Sequence, residues 1–316
     1  MSYVSGAVLD IILPLSNPRR FKRREQLFKQ ALKRIDAYAT ERGLTNYRVW
    51  PVEGTFGDRD YSVEHPNAIR VKLVDELWSK ENLLNIAIAR LPSDWKYVAW
   101  IDADILFMND DWIGETIEML QHHPVVQPWS DCIHQGPNAE ILTTHKSFGW
   151  CNMGNVKRLV PGLESYGGTF WHPGFAWAAR REVIEAAGGL LDWAVLGSAD
   201  HHMALAMIGT VQESASDGLG KGYYEKLNEY QERIFPVVKG DVGYVPGSIL
   251  HYYHGRLGNR KYRERWGIMV DAKFDPNFHI EKDYQGVYRF TDKATMRFKN
   301  DIRDYFIVRE EDANTL

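Results

Sequence analysis

From residue 8 to residue 101, apolar runs alternate with amphipathic stretches, and this alternation leaves the chain few folds to choose from. Val8 to Leu13 is an apolar run closed by Pro14 and reads as a buried strand. Arg23 to Arg42 reads as a charged amphipathic helix with Leu27, Phe28, Ala31, Leu32 and Ile35 along one face, and Gly43 ends it. Tyr47 to Val52 reads as a second strand. Leu73 to Leu91 reads as a second helix stopped by Pro92, and Tyr97 to Ile101 as a third, strongly apolar strand. Strand–helix–strand–helix–strand predicts a parallel sheet with helices on its faces. Ligands of such sheets bind beyond the carboxyl ends of the strands. The first candidates are therefore Pro14, Ser16 and Asn17 after the first strand, Glu53 after the second, and Asp102 with Asp104 after the third.

Past this point the pattern loosens. Asp111 to Gln121 reads as a helix and Pro124 to Ser130 as a strand. A Gly- and Pro-rich stretch from Gly136 to Gly174 has no period, as expected of a functional or mobile loop. Glu182 to Ala187, Ser198 to Ile208 and Tyr223 to Arg233 read as helices, and Val242 to Tyr253 as extended chain. Residues 271–316 read as a separate, partly helical C-terminal extension, which leaves 1–270 as the main domain. With 316 residues, 44% of them hydrophobic, the chain can bury a sizeable core.

A net charge of −4 excludes the overall basic field of a nucleic-acid binder, although Arg19 to Arg24 and Arg256 to Arg265 are locally basic. Cys132 and Cys151 are too few for a disulfide framework. The first apolar stretch lacks a leading basic region and contains Asp10, and no run has transmembrane length. These features predict a cytoplasmic protein.

Asp102 and Asp104 are the most informative pair. Side chains alternate along a strand, so residues i and i+2 point the same way. Two carboxylates so placed resist ionising together unless a cation sits between them. Hard oxygen ligands suit Mg²⁺ or Mn²⁺ held together with substrate phosphates. A solvated turn carrying two acids is the plain alternative, but apolar residues flank the pair on both sides, from Val98 to Ile101 and from Ile105 to Phe107. A phosphatase-type pair with a nucleophilic aspartate normally follows the first strand and precedes Thr; here the pair follows the third strand and precedes Ile105.

Four patches, in this order, resemble the GT-A glycosyltransferases over about residues 8 to 266. The likeness is to the group that includes β-1,4-galactosyltransferases, polypeptide N-acetylgalactosaminyltransferases and family-2-like enzymes. Asp102-Ala103-Asp104 is similar to their D-x-D metal motif. Trp78-Ser79-Lys80-Glu81-Asn82-Leu83-Leu84-Asn85 resembles the segment upstream of that motif, where a basic residue and an Asn face the donor; Lys80 and Asn85 stand in those places. Gly188-Gly189-Leu190-Leu191-Asp192 followed by Gly197-Ser198-Ala199-Asp200 resembles the acceptor-side "GGFD … GEDxD" segment, with Ala199 where the family has Glu. His251-Tyr252-Tyr253-His254-Gly255 and the basic run to Trp266 resemble the late segment whose His completes the metal shell. His254, directly before Gly255, is preferred over His251.

The resemblance implies an α/β fold with the GT-A architecture, a Rossmann-like mixed sheet flanked by helices, typical of nucleotide-diphospho-sugar transferases. It implies Mn²⁺ or Mg²⁺ held by Asp102, Asp104 and His254. A nucleotide-sugar donor, UDP-linked by family habit, would lie against Pro14, Ser16, Asn17, Glu53, Lys80 and Asn85. Arg256, Arg260 and Lys261 would neutralise its diphosphate. Asp200 would be the base of an inverting transfer. Trp171, His172, Gly174 and Asp192 would face the acceptor, a glycan or a small molecule. Two other readings stay open: a DNA glycosyltransferase acting on a hydroxymethylated base, using the two basic clusters, and a non-catalytic sugar- or nucleotide-binding module, for which Ala199 leaves room.

Overall fold

A computed structural model describes residues 6–155, 171–262 and 264–313. In chain order its main strands are β1 (Leu9–Ser16), β2 (Tyr47–Phe56), β3 (Ile69–Leu73), β4 (Tyr97–Ile101), β5 (Ile105–Phe107), β6 (Val125–Gln127), β7 (Asp131–Gln135), β8 (Ile141–Ser147), β9 (Trp171–His172), β10 (Ala176–Arg180), β11 (Val242–Tyr244) and β12 (Ser248–His251). Seven of them form one sheet in the order β11-β6-β10-β4-β1-β2-β3. The β4-β1-β2-β3 half is parallel, as the opening alternation requires, and β10 runs antiparallel between β4 and β6. The sheet is therefore mixed and flanked by helices, as expected. A second sheet, β5-β12-β7-β8-β9, stands beyond the end of β4.

Side-chain alternation in β1 sorts the core into two layers. Leu9, Ile11 and Leu13 join Phe28, Ala31 and Leu32 of the Lys22–Arg42 helix and Ile113, Ile117 and Leu120 of the Trp112–His122 helix. Ile12 faces the other way, into a layer with Leu83, Leu84 and Ala87 of the Lys80–Ile88 helix. Asp10, fully buried in β1, is held by a two-pronged bond from Arg48 at 2.7 Å and by Trp50 Nε1 at 2.7 Å, which is why a charge is tolerated in that strand.

Two stretches differ from the sequence reading. The helix expected from Leu73 starts at Lys80, and Ile69–Leu73 before it is a strand; Ile69, Val71 and Leu73 are buried and alternate with exposed Arg70 and partly exposed Lys72. The period there is two. Within the stretch expected to be loop, Ile141–Ser147 pairs with β7 as a hairpin; it is rich in polar residues and its exposure does not alternate, which hides it from a hydrophobicity reading. Residues 156–170 of that stretch lie outside the described residues.

The C-terminal segment shares the core. Phe274, Phe298, Ile302 and Phe306 belong to the same buried layer as Ile12 and Leu84. The β13 (Ile280–Lys282) and β14 (Tyr288–Phe290) hairpin is tied down by Asp192, whose carboxylate accepts from Lys282 Nζ at 2.7 Å, Tyr288 Oη at 3.2 Å and Asn85 Nδ2 at 3.0 Å. Asp192→Asn keeps the shape and removes the charge. We expect it to lose about 2 kcal/mol of stability in a denaturant titration, with no change in ligand affinity. Unchanged stability would show that these contacts contribute nothing. Among the described residues, no helix is long and apolar enough to cross a membrane.

Candidate active site and metal centre

At the end of β4 the chain turns, with Asp102, Ala103 and Asp104 between β4 and β5. The ends of the turn are fixed by Asp102 N–H donating to Phe175 O at 2.7 Å and by Asp104 O accepting from Tyr252 N–H at 2.9 Å. The pair is not extended chain, so strand alternation does not apply and the two carboxylates take separate partners. Asp102 Oδ1 lies 2.7 Å from Lys80 Nζ. Asp104 faces two imidazoles: His254 Nε2 is 2.8 Å and His251 Nε2 3.8 Å from its Oδ2. Of the expected donors, Asp104 and His254 are brought together with His251, while Asp102 is paired with Lys80. Pairing of β5 with β12 sets His251 opposite Ile105, beside Asp104. The i, i+3 spacing of His251 and His254 is the sequence signal for both.

The Asp104, His251 and His254 ligand atoms lie within 4.8 Å of one another. Asp104 Oδ1 is buried with no hydrogen-bond partner among the described residues. Arg260 Nη2 is 2.7 Å from His254 Nε2. The same ring nitrogen is 2.8 Å from Asp104 Oδ2, so a ring proton on Nε2 can bridge the two, and with that proton on Nδ1 the Nε2 lone pair and the carboxylate can share a cation instead. These residues fit a divalent ion, and their mixed N and O donors suit Mn²⁺ better than Mg²⁺, which prefers an oxygen shell.

The charges agree. Burial works against the Asp104 carboxylate, but His254 and His251 outweigh it and hold its pKa well below the usual range. Burial pulls His251 down to about 4, so it is a neutral imidazole near pH 7, the form that ligates metal. Burial also opposes charge on Lys80, yet Asp102, Glu81 and Asp200 keep its ammonium above its ordinary value.

These groups line one cavity of about 560 Å³. Pro14, Ser16 and Asn17 line it together with Lys80, Asp102, Asp104, His254 and Arg260, and so do Trp171, His172, Gly174 and Asp200. Asp200 is near enough to Lys80 and Asp102 for its charge to act on both. Asp200 is the second residue of the Ala199–Met207 helix. Ser198 holds the N-cap position at φ +77°, and its hydroxyl accepts from Arg265 at 2.6 Å. Gly174 leaves room here: a Cβ would stand 3.0 Å from Asp200 Oδ2 and 2.8 Å from His172 Cε1.

Five expected site residues do not line this cavity. Glu53 is buried and accepts from Ser62 N–H at 2.8 Å and Val63 N–H at 2.9 Å, so it shapes the loop after β2. Asn85 holds Leu190 through its backbone N–H and C=O at 2.8 and 2.9 Å, and Asp192 is bound as described above. Arg256 and Lys261 are exposed outside the cavity wall. Much of the basic clusters is engaged by the protein. Arg24 forks onto Glu311, Arg19 pairs with Glu76, Arg23 donates to Tyr253 O at 3.0 Å and Arg265 to Ser198. That takes them from the free basic face a DNA acceptor would need.

Several cavity residues had no signal in the sequence. His134 and His145 pack beside His251 and His172, with ring centroids 4.6 to 5.6 Å apart. Burial lowers the pKa of His134, His145 and His172, leaving a wall of neutral rings. Glu81 lines the cavity beside Lys80, and burial pushes its carboxyl from 4.5 up to about 7. An acid raised by folding costs stability when ionised. The cost is absent below pH 4.5 and complete above about 7. Glu81→Gln should therefore be more stable than the parent at pH 8, by up to about 3 kcal/mol, and nearly equal to it at pH 4. Thermal unfolding at both pH values tests this; equal stability at pH 8 would contradict it.

No protein-family model matches the chain, and no curated protein does. Among solved structures it is similar to the catalytic domain of Drosophila β1,4-galactosyltransferase 7 in complex with xylobiose, at 14% identity and a TM-score of 0.36, over 90% of this chain and 93% of that one. It is also similar to glucosyl-3-phosphoglycerate synthase from Mycobacterium tuberculosis in complex with Mn²⁺, UDP-glucose and phosphoglyceric acid, at 13% and 0.38, over 91% and 87%. A third is 4-diphosphocytidyl-2C-methyl-D-erythritol synthase from Anaerococcus prevotii, at 11% and 0.33, over 96% of each chain. At these TM-scores the likenesses add no weight to the geometry of the site.

Proposed function

We propose that the protein is a metal-dependent glycosyltransferase that moves a sugar from a nucleoside diphosphate, UDP in the first instance, to an acceptor hydroxyl. The observation that carries this reading is Asp104, whose Oδ2 faces His251 and His254 while its buried Oδ1 has no partner among the described residues, on the cavity that Lys80 and Asp200 also line. Asp104, His251 and His254 would hold Mn²⁺. Bound there, the ion would offset charge on the departing diphosphate. Lys80 and Arg260 add fixed positive charge on the same side, where it strengthens as the bond to the anomeric carbon breaks. Pro14, Ser16 and Asn17 form the wall for the nucleoside.

Asp200 lines the same cavity, near enough to Lys80 to feel its charge, and takes the proton of the acceptor hydroxyl. Attack from the side opposite the leaving group inverts the anomeric centre. His172, partly exposed on the cavity, gives the acceptor an aromatic ring, which suits a sugar. The test is incubation with a panel of nucleotide sugars, with Mn²⁺ and with chelator, followed by assay of free nucleoside diphosphate. Release of UDP that depends on Mn²⁺ is expected from at least one UDP-sugar; no release from any of them in the presence of Mn²⁺ would overturn the reading.

A further inference from the structure

The chain returns to the site after the helix Met296–Val308, and this return is unusually well anchored. Glu311 is almost fully buried. Arg24 grips it with two bonds, Nη2 to Oε1 at 2.6 Å and Nε to Oε2 at 2.7 Å, and Arg309 Nε donates to Oε1 at 2.6 Å. The next residue is fixed as well: Asp312 accepts from the backbone N–H groups of Lys22 and Arg23 at 3.0 and 2.7 Å, capping the helix that carries Arg24. Gly255, at φ +86°, permits the approach, since a Cβ there would stand 2.9 Å from Glu310 O and 3.1 Å from Glu311 Cα. A buried carboxylate costs free energy unless its partners offset it, and here two guanidiniums do so. Its remaining neighbour is His254 Nδ1, 3.7 Å from Oε2.

We propose that Glu311 is a positioning residue of the metal centre. Its negative charge, 3.7 Å from Nδ1, favours the ring proton on that nitrogen and so leaves the Nε2 lone pair for an ion beside Asp104. The inference rests on the metal-site reading above. Arg260 Nη2, 2.7 Å from Nε2, would have to give way when an ion binds there. A carboxylate on the far nitrogen of a ligating imidazole fixes both the tautomer and the ring's orientation. The tail therefore belongs to the site although it is remote from it in sequence, and the Arg24–Glu311–Arg309 cluster holds the ring from behind.

The test is Mn²⁺ affinity, measured by calorimetry on the full chain for the parent, Glu311→Gln and Asp192→Asn, together with the ¹⁵N signature of the His254 ring. Glu311→Gln should bind Mn²⁺ about 10- to 100-fold more weakly and lose the single Nδ1–H tautomer. Asp192→Asn, which alters a buried carboxylate away from the cavity, should lose stability without losing Mn²⁺ affinity. Should Glu311→Gln not fold, Arg24→Met reads the same contact and should weaken Mn²⁺ in the same direction. Parent-like Mn²⁺ affinity in a folded Glu311→Gln overturns the proposal while the metal site stands. No Mn²⁺ binding by the parent overturns the metal site itself, and the positioning role with it.

Discussion

Asp104→Asn is expected to abolish Mn²⁺ binding, and with it any metal-dependent binding of a nucleoside diphosphate. Asn preserves the volume of the side chain and its place in the turn, but it removes the one anionic ligand from a set of one carboxylate and two imidazoles. His251 and His254 remain, and two neutral rings hold a hard divalent ion poorly. The loss should exceed the ~10–100-fold that follows removal of a group behind a ligand. The Asp102→Asn variant gives the contrast. Its carboxylate is engaged by Lys80 at 2.7 Å, so it should weaken Mn²⁺ less. Titration of Mn²⁺ into the two variants decides the matter: equal losses would return Asp102 to the donor set, and no loss in Asp104→Asn would remove the site.

Asp200→Asn carries the second large effect. The amide cannot accept a proton, and loss of a positioned general base lowers turnover by about 10²–10⁴-fold. Donor binding should survive, because Asp200 is not one of the Asp104, His251 and His254 set and its Oδ1 accepts from its neighbour's backbone, His201 N–H at 2.9 Å. The measurement is kcat against KM for the donor: a fall in kcat with KM little changed is expected. Full turnover in Asp200→Asn would move the base elsewhere, and Glu81, raised to about 7 in the same cavity, would be the next residue to test.

Much of the site was legible because it rests on local rules. Strand ends gave Pro14, Ser16, Asn17, Asp102 and Asp104, which line the cavity because a parallel sheet gathers such ends on one edge, and Glu53, which does not because β2 runs on past it to Phe56. What escaped depends on geometry that local pattern does not carry. Strand alternation put Asp102 and Asp104 side by side, but the pair lies in a turn, so they separate onto Lys80 and onto the two imidazoles. Asn85 and Asp192, placed by resemblance, are consumed by one hydrogen-bonded cluster that also holds the β13–β14 hairpin. Glu311 gave no signal, because it reaches His254 only when the helix before it packs on the core. The strand Ile69–Leu73 was missed for a simpler reason: five residues of period two run straight into a region that favours helix.

The central claim is a metal centre that anchors a nucleoside diphosphate, and calorimetric titration of UDP into the parent protein tests it most directly, with Mn²⁺ present and again after chelation. Binding at least about tenfold tighter with Mn²⁺, worth ~1.4 kcal/mol or more, is the expected result. Equal affinity in the two titrations, or no binding in either, would contradict it.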